Sequence, residues 1–188
     1  MKKMVLVLML IAGIMVSGFA AEVPEWFSVV DAADGGTSTA EVVVADEKID
    51  GKDYKGVTTV SGKVTTDFQY GYAGMQMIGD NPTGVEAAFL DALKKGSGIK
   101  LVVSGDGKTY DFRVNTNDRP DYCYHMFSVK TTKGKVTTYE IPYKKLKQYT
   151  WGAKKSFKKE NISGLSFQTS SYPLASYELK VISVEVMP

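Results

Sequence analysis

Residues 97–116, SGIKLVVSGDGKTYDFRVNT, hold Gly105-Asp106-Gly107 between two runs whose apolar residues alternate. A glycine loop that cradles phosphate opens a helix, because free N–H groups and the helix dipole hold the anion there. Here Gly107 is followed by KTYDFRV, which alternates as a strand does. Neither the dinucleotide pattern G-x-G-x-x-G nor the phosphate-loop pattern G-x-x-x-x-G-K-[ST] occurs. The stretch therefore reads as a β-hairpin with its turn at Ser104–Lys108 and no anion bound. The glycines supply positive φ and Asp106 favours the tight turn.

The same texture extends in both directions. WFSVV, AEVVVA, YAGMQMI, YCYHMFSV, KVTTYEI, ISGLSFQT and YELKVISVEV are short runs rich in Val, Thr, Tyr and Phe, separated by turn-forming residues. Many short strands at close spacing imply an all-β sandwich or barrel. No linker, composition break or repeat divides them, so one domain spans residues 21–188. One helix is expected in PTGVEAAFLDALKKG, residues 82–96. Thr83 and Glu86 have capping-box spacing. Val85, Phe89, Ala92 and Leu93 share a face. Lys94 and Lys95 suit the negative end of the dipole, and Gly96 the C-cap. Such a helix would plug one end of the sandwich.

The first residues form a different kind of segment. Lys2 and Lys3 precede an apolar run, Met4 to Val16, and then small residues that include Gly18 and Ala20. That is the order of a secretory signal peptide, expected to span residues 1–20 with cleavage after Ala20. The apolar run is short for a membrane-spanning helix, and no second hydrophobic span follows. The mature protein is expected to be exported to the periplasm or the extracellular space. Without Lys2 and Lys3 the 23 basic residues fall to 21, matching the 21 acidic ones. A formally neutral chain argues against nucleic acid as a partner. Cys123 is the single cysteine, so no internal disulfide is available and core burial must hold the fold.

Several segments, in order, resemble the complex I intermediate-associated protein 30 family. GIKLVVSGDGKTYDFRV is similar to its central signature. VDAADGGTST, with Asp34, Gly35, Gly36 and Ser38, resembles its N-terminal Asp-Gly-Gly-x-Ser stretch. YGYAGM, the run YHMFSVKTTKGKVTTYEIPYKKLKQYTWG and the closing strands ISGLSFQT and YELKVISVEV follow in the family's order. Val136 and Thr137 stand where members often carry Trp. The resemblance implies a single galactose-binding-like β-sandwich of jelly-roll type, similar to family 11 carbohydrate-binding modules. It also implies two functional classes: a carbohydrate-binding module, or a structural or assembly protein that uses the sandwich to contact another protein.

Catalysis finds little support in the residues. His125 is the only histidine and alternates with Cys123 and Phe127, which places it on the core side if Phe127 points inward. No His pair or Cys cluster offers a zinc site, and no pair of carboxylates stands out for glycoside cleavage. The chain is therefore expected to be non-catalytic, with no cofactor. Asp31, Asp34 and Glu178 are candidate ligands for a structural calcium of the kind such sandwiches often hold, although Asp in DAADGG is more simply a turn former.

Alternation also nominates a binding face. With Phe112 and Phe127 inward, Asp111, Arg113 and Asn115 point out, as do Tyr122, Tyr124 and Met126. Inward Met75 and Met77 put Tyr72 and Gln76 outward, and inward Leu165 and Phe167 do the same for Ser166 and Gln168. Tyr72, Gln76, Asp111, Arg113, Tyr122 and Tyr124 form the candidate ligand set. Saccharides are held by aromatic faces against C–H surfaces and by planar polar groups that satisfy hydroxyls. The resemblance adds that related modules bind sugar in a cleft of Tyr, Asp and Arg on one sheet. The same side chains would also serve as cross-strand pairs that stabilise the sheet. KKLKQYTWGAKKSFKK carries seven lysines between Lys144 and Lys159 and encloses Trp151. It reads as a solvated loop or as a contact to an anionic cell-envelope polymer, with Trp151 a stacking platform or a core anchor.

Overall fold

The computed structural model describes residues 22–119 and 121–188. The expected signal peptide, residues 1–20, and its expected cleavage point lie outside the described residues. Two antiparallel sheets face each other as a jelly-roll β-sandwich. The first has six strands: β1 (Phe27–Val30), β4 (Ala73–Met77), β10 (Ile162–Thr169), β6 (Thr109–Thr116), β7 (His125–Lys130) and β9 (Lys147–Gln148), in that spatial order. The second has five: β2 (Thr39–Ile49), β3 (Lys52–Val64), β11 (Leu174–Met187), β5 (Gly98–Gly105) and β8 (Thr137–Pro142).

Alternation explains the core. Phe112 of β6 and Phe167 of β10 are paired in register, both inward, with ring centroids 5.0 Å apart, and Trp26 lies 5.6 Å from Phe167. Leu101, Val103, Ile141 and Leu179 meet them from the second sheet, all fully buried. Each such side chain contributes about 1.5–3 kcal/mol through burial.

The Gly105-Asp106-Gly107 stretch is not a hairpin. β5 pairs with β11 and β8, whereas β6 pairs with β10 and β7. The chain leaves one sheet at Gly105 and enters the other at Thr109, so the stretch is an arch between sheets. The glycine argument holds for Gly107, with φ +95°, but not for Gly105, which has no positive φ and is glycine where a Cβ would lie 2.9 Å from the Glu178 carbonyl. The partners of the flanking strands are set by the whole fold. Asp106 holds the arch. Its Oδ1 accepts from the Lys108 N–H at 3.0 Å and the Tyr110 hydroxyl at 2.9 Å. Its Oδ2 accepts from Lys108 Nζ at 2.5 Å and from the Glu178 N–H of β11 at 3.1 Å. A true Asp-Gly hairpin lies elsewhere, at Asp50-Gly51 between β2 and β3, with φ of 51° and 79° as a type I′ turn needs.

The helix α1 (Gly84–Lys95) forms as expected, with Phe89 and Leu93 buried. Its ends differ from the expectation. The capping box does not close: Thr83 makes no side-chain cap bond, and Glu86 Oε1 accepts instead from the Gly79 N–H. Val85 is 38% exposed, because the first turn runs past the buried surface, and Leu90 packs in its place. Gly96 is extended rather than left-handed. Glycine is needed there for space, since a Cβ would lie 2.5 Å from Val186 Cγ1 and 2.8 Å from the Met187 carbonyl. Lys159 Nζ donates to the Lys95 carbonyl and so completes the negative end of the helix. Along β2, one of the two edge strands of the second sheet, Val43 and Val44 are exposed.

Asp106 gives a test of the arch. Burial raises its pKa, but hydrogen bonds from Lys108, Tyr110 and Glu178 outweigh burial and hold the carboxyl below its ordinary value. A depressed folded pKa contributes stability that is present above the unfolded pKa and lost as pH falls through the folded one. Asp106→Asn is expected to cost about 1–3 kcal/mol at pH 7. The difference from wild type should shrink below about pH 4. Urea unfolding of both proteins at pH 7 and at pH 3 checks this.

Candidate functional site

The outer face of the six-stranded sheet carries polar rows. One row runs Phe27, Gln76, Ser166, Arg113, Met126, Lys147 across β1, β4, β10, β6, β7 and β9. The adjacent row runs Val29, Gly74, Gln168, Asp111, Ser128. Gly74 opens the floor of a groove between them. A Cβ there would meet the Phe167 carbonyl at 1.9 Å, and without it β4 and β10 approach closely and leave space above. The groove is lined by Val29, Gln76, Arg113, Asn115, Tyr124 and Gln168, among others. It encloses only about 50 Å³, room for one or two waters, so a larger ligand would lie along its mouth.

Gln76, Arg113 and Tyr124 of the candidate set line this groove together. Asp111 is 5% exposed and joins them through Tyr149. The Tyr149 hydroxyl donates to Asp111 Oδ2 at 2.5 Å and accepts from Arg113 Nη2 at 2.7 Å. Burial, the largest cause, and the Asp111 hydrogen bond push the Tyr149 phenol up to about 12, with Arg113 pulling the other way. It stays protonated as the bridge. Arg113 Nε is buried with no partner among the described residues.

Tyr72 and Tyr122 are not among the lining residues. Tyr72 precedes β4 and donates its hydroxyl to Asp34 at 2.9 Å. Burial first, then Asp34, and more weakly Tyr122 push its phenol up to about 12. Tyr122 is on the loop before β7 rather than in the strand, and it is 69% exposed. Tyr124 also differs from its expected role as a flat platform. The guanidinium of Arg113 lies 4.3 Å from its ring centroid and that of Arg119 3.8 Å, so the ring is already engaged by cations.

The aromatic platform comes from the lysine-rich segment. Trp151 is 54% exposed and stacks on Tyr149 with centroids 5.1 Å apart and planes 9° off parallel. Two ties fix this wall. Asp121 accepts the N–H groups of Cys123 and Ala153 at 2.7 and 2.8 Å. The buried Cys123 thiol donates to the Trp151 carbonyl at 3.1 Å. The sequence signal for the wall was Tyr149-x-Trp151, two aromatics at strand spacing among lysines. Tyr149 and Arg119 were missed because neither lies in an alternating run.

His125 faces the core side, opposite the groove. It is nearly buried, its ring is edge-on to Phe157 at 5.1 Å, and burial lowers its pKa. The Asp31 carboxylate is occupied by the Ser38 N–H and hydroxyl and by the Tyr72 N–H. Glu178 lies at the arch beside Asp106 and Lys180, away from Asp31. The three do not converge on a calcium site.

Fold and groove together define a jelly-roll β-sandwich with an open polar-aromatic groove on one sheet face. The chain belongs to the complex I intermediate-associated protein 30 family, whose model matches residues 18–181. Comparison with curated proteins finds no sequence match. Among solved structures, the chain is similar to the family 11 carbohydrate-binding module from Clostridium thermocellum in complex with a beta-1,3-1,4-mixed-linked tetrasaccharide. That pair shares 15% identity over 92% of this chain and 91% of the module, with a TM-score of 0.54. The family 11 module of a cellulosomal cellulase of Clostridium thermocellum gives 15%, 93%, 95% and 0.54. An exo-beta-agarase matches 89% of this chain with 24% of its own, at 12% identity and a TM-score of 0.51. At these identities the likeness is one of fold.

Tyr149 should separate framework from surface. Tyr149→Phe keeps the ring but strands Asp111 and Arg113, and is expected to cost about 1–3 kcal/mol. Trp151→Ala should change stability by less than about 0.5 kcal/mol. Chemical denaturation measures both. Acrylamide should quench Trp151 readily and the buried Trp26 poorly.

Proposed function

We propose that the protein is a non-catalytic carbohydrate-binding module that takes a saccharide along the outer face of its six-stranded sheet. The observation that carries this reading is the convergence of Gln76, Arg113, Asn115 and Gln168 in one groove beside the Tyr149–Trp151 stack. Planar amide and guanidinium groups pair with hydroxyls, and an exposed indole offers an apolar face to sugar C–H bonds. The fold shared with the family 11 modules supports it. None of the residues that line the groove is a carboxylate, whereas glycoside cleavage needs a pair of them. The order of residues 1–20 supports export to the periplasm or the extracellular space.

A second reading, a structural or assembly role through protein contact, is favoured by β2, where a free sheet edge coincides with exposed Val43 and Val44. Size-exclusion chromatography of wild type and Val44→Lys distinguishes the two. Self-association that is lost in the variant supports assembly.

Calorimetric titration with a panel of oligosaccharides tests the first reading. Arg113→Ala or Trp151→Ala should weaken binding by about 1–3 kcal/mol. Phe112→Ala should instead cost about 3–5 kcal/mol of folding stability. If Trp151→Ala leaves every saccharide affinity unchanged, the groove is not the binding face.

A further inference from the structure

Of 23 basic residues, only Arg113 and Arg119 are arginines. They lie in different segments, one inside β6 and one in the loop beyond it, yet both guanidiniums lie over the same Tyr124 ring. Among the described residues neither forms a salt bridge. Two carboxylates are near, and Asp121 feels the charge of Arg119 and Lys154, but neither is hydrogen-bonded to a guanidinium. Asp111 Oδ2 accepts from Tyr149, and both Asp121 oxygens hold backbone N–H groups. Arg113 has one acceptor, the Tyr149 hydroxyl, and its Nε has none among the described residues. Lys147 extends the same row two strands beyond Arg113, and Lys154 donates to the Trp151 carbonyl on the wall. One end of the groove therefore sets four cations, Arg113, Arg119, Lys147 and Lys154, against two carboxylates, Asp111 and Asp121, and keeps a positive excess.

Neutral hydroxyls do not require two guanidiniums, because amides such as Gln76 and Gln168 serve them as well. A carboxylate does use such a group. The guanidinium fork matches its two oxygens, and a hydrogen bond with both partners charged is stronger than one to a hydroxyl. Stacking on Tyr124 holds both forks in place before a ligand arrives, which reduces the entropy lost on binding. We propose that the groove selects an acidic saccharide and that Arg113 and Arg119 read its carboxylate. This rests on the saccharide-binding reading above and names its ligand class.

The test titrates the full chain with tetragalacturonate and, separately, with a neutral mixed-linked glucan tetrasaccharide, at low and high salt. Tetragalacturonate should bind more tightly, and its advantage should narrow with salt. Arg119→Gln and Arg113→Lys should each weaken tetragalacturonate by about ten- to a hundredfold, the range for a hydrogen bond to a charged group. Lys48→Ala/Lys63→Ala, on the opposite sheet, is the control: it removes two positive charges, against one for Arg119→Gln and none for Arg113→Lys, and should not weaken binding. Melting temperatures of all variants are measured alongside. Equal affinity for the two oligosaccharides overturns the acidic-ligand proposal and leaves the saccharide reading standing. So does an Arg119→Gln variant that melts lower yet binds tetragalacturonate as before, or a loss matched by the lysine control. Binding of neither oligosaccharide overturns the acidic-ligand proposal, and an unresponsive wider oligosaccharide panel overturns the saccharide reading as well.

Discussion

The pairing of Phe112 with Phe167, inward and in register across β6 and β10, is the constraint on which the rest depends. Side chains alternate with period two, so fixing these rings inside fixes Asp111, Arg113, Ser166 and Gln168 outside. A slip of one residue would bury the arginine and expose the phenylalanine. The hydrophobic core thus writes the polar face.

Much of this was legible in the sequence, for a physical reason. Strand alternation is local, so the inward and outward sets of β4, β6 and β10 follow from short windows. The helix was legible from the same kind of periodicity. What failed was whatever depends on partners distant in sequence. Gly105-Asp106-Gly107 has the local chemistry of a turn, but whether the chain bends back on its neighbour or crosses to the other sheet depends on β11, which supplies the Glu178 N–H that meets Asp106. Gly96 looked like a left-handed cap, yet it is glycine because β11 passes close by.

The site shows the same division. Gln76, Arg113 and Tyr124 were found by alternation, and the groove joins them. Tyr122 was placed by extending a strand too early, since β7 begins at His125. Tyr149 and Trp151 arrive from a segment without periodicity, brought in by β9 and by the ties to Asp121 and Cys123. Tyr149 is nevertheless the link between Asp111 and Arg113. A buried polar network of this kind is stable only when each member keeps its partner, which makes the groove's order a property of the set rather than of any one residue.

Cys123 carries a further consequence. It is the chain's single thiol, fully buried, and its Sγ is hydrogen-bonded to the backbone of the aromatic wall at Trp151. A thiol-reactive reagent reaches it only when that wall lifts from the sheet. The labelling rate is thus a clock for opening at one edge of the groove, separate from global unfolding wherever local opening is the cheaper event. A ligand that clamps Trp151 would slow the clock, so occupancy of the face becomes readable through a sulfur atom that the ligand never touches.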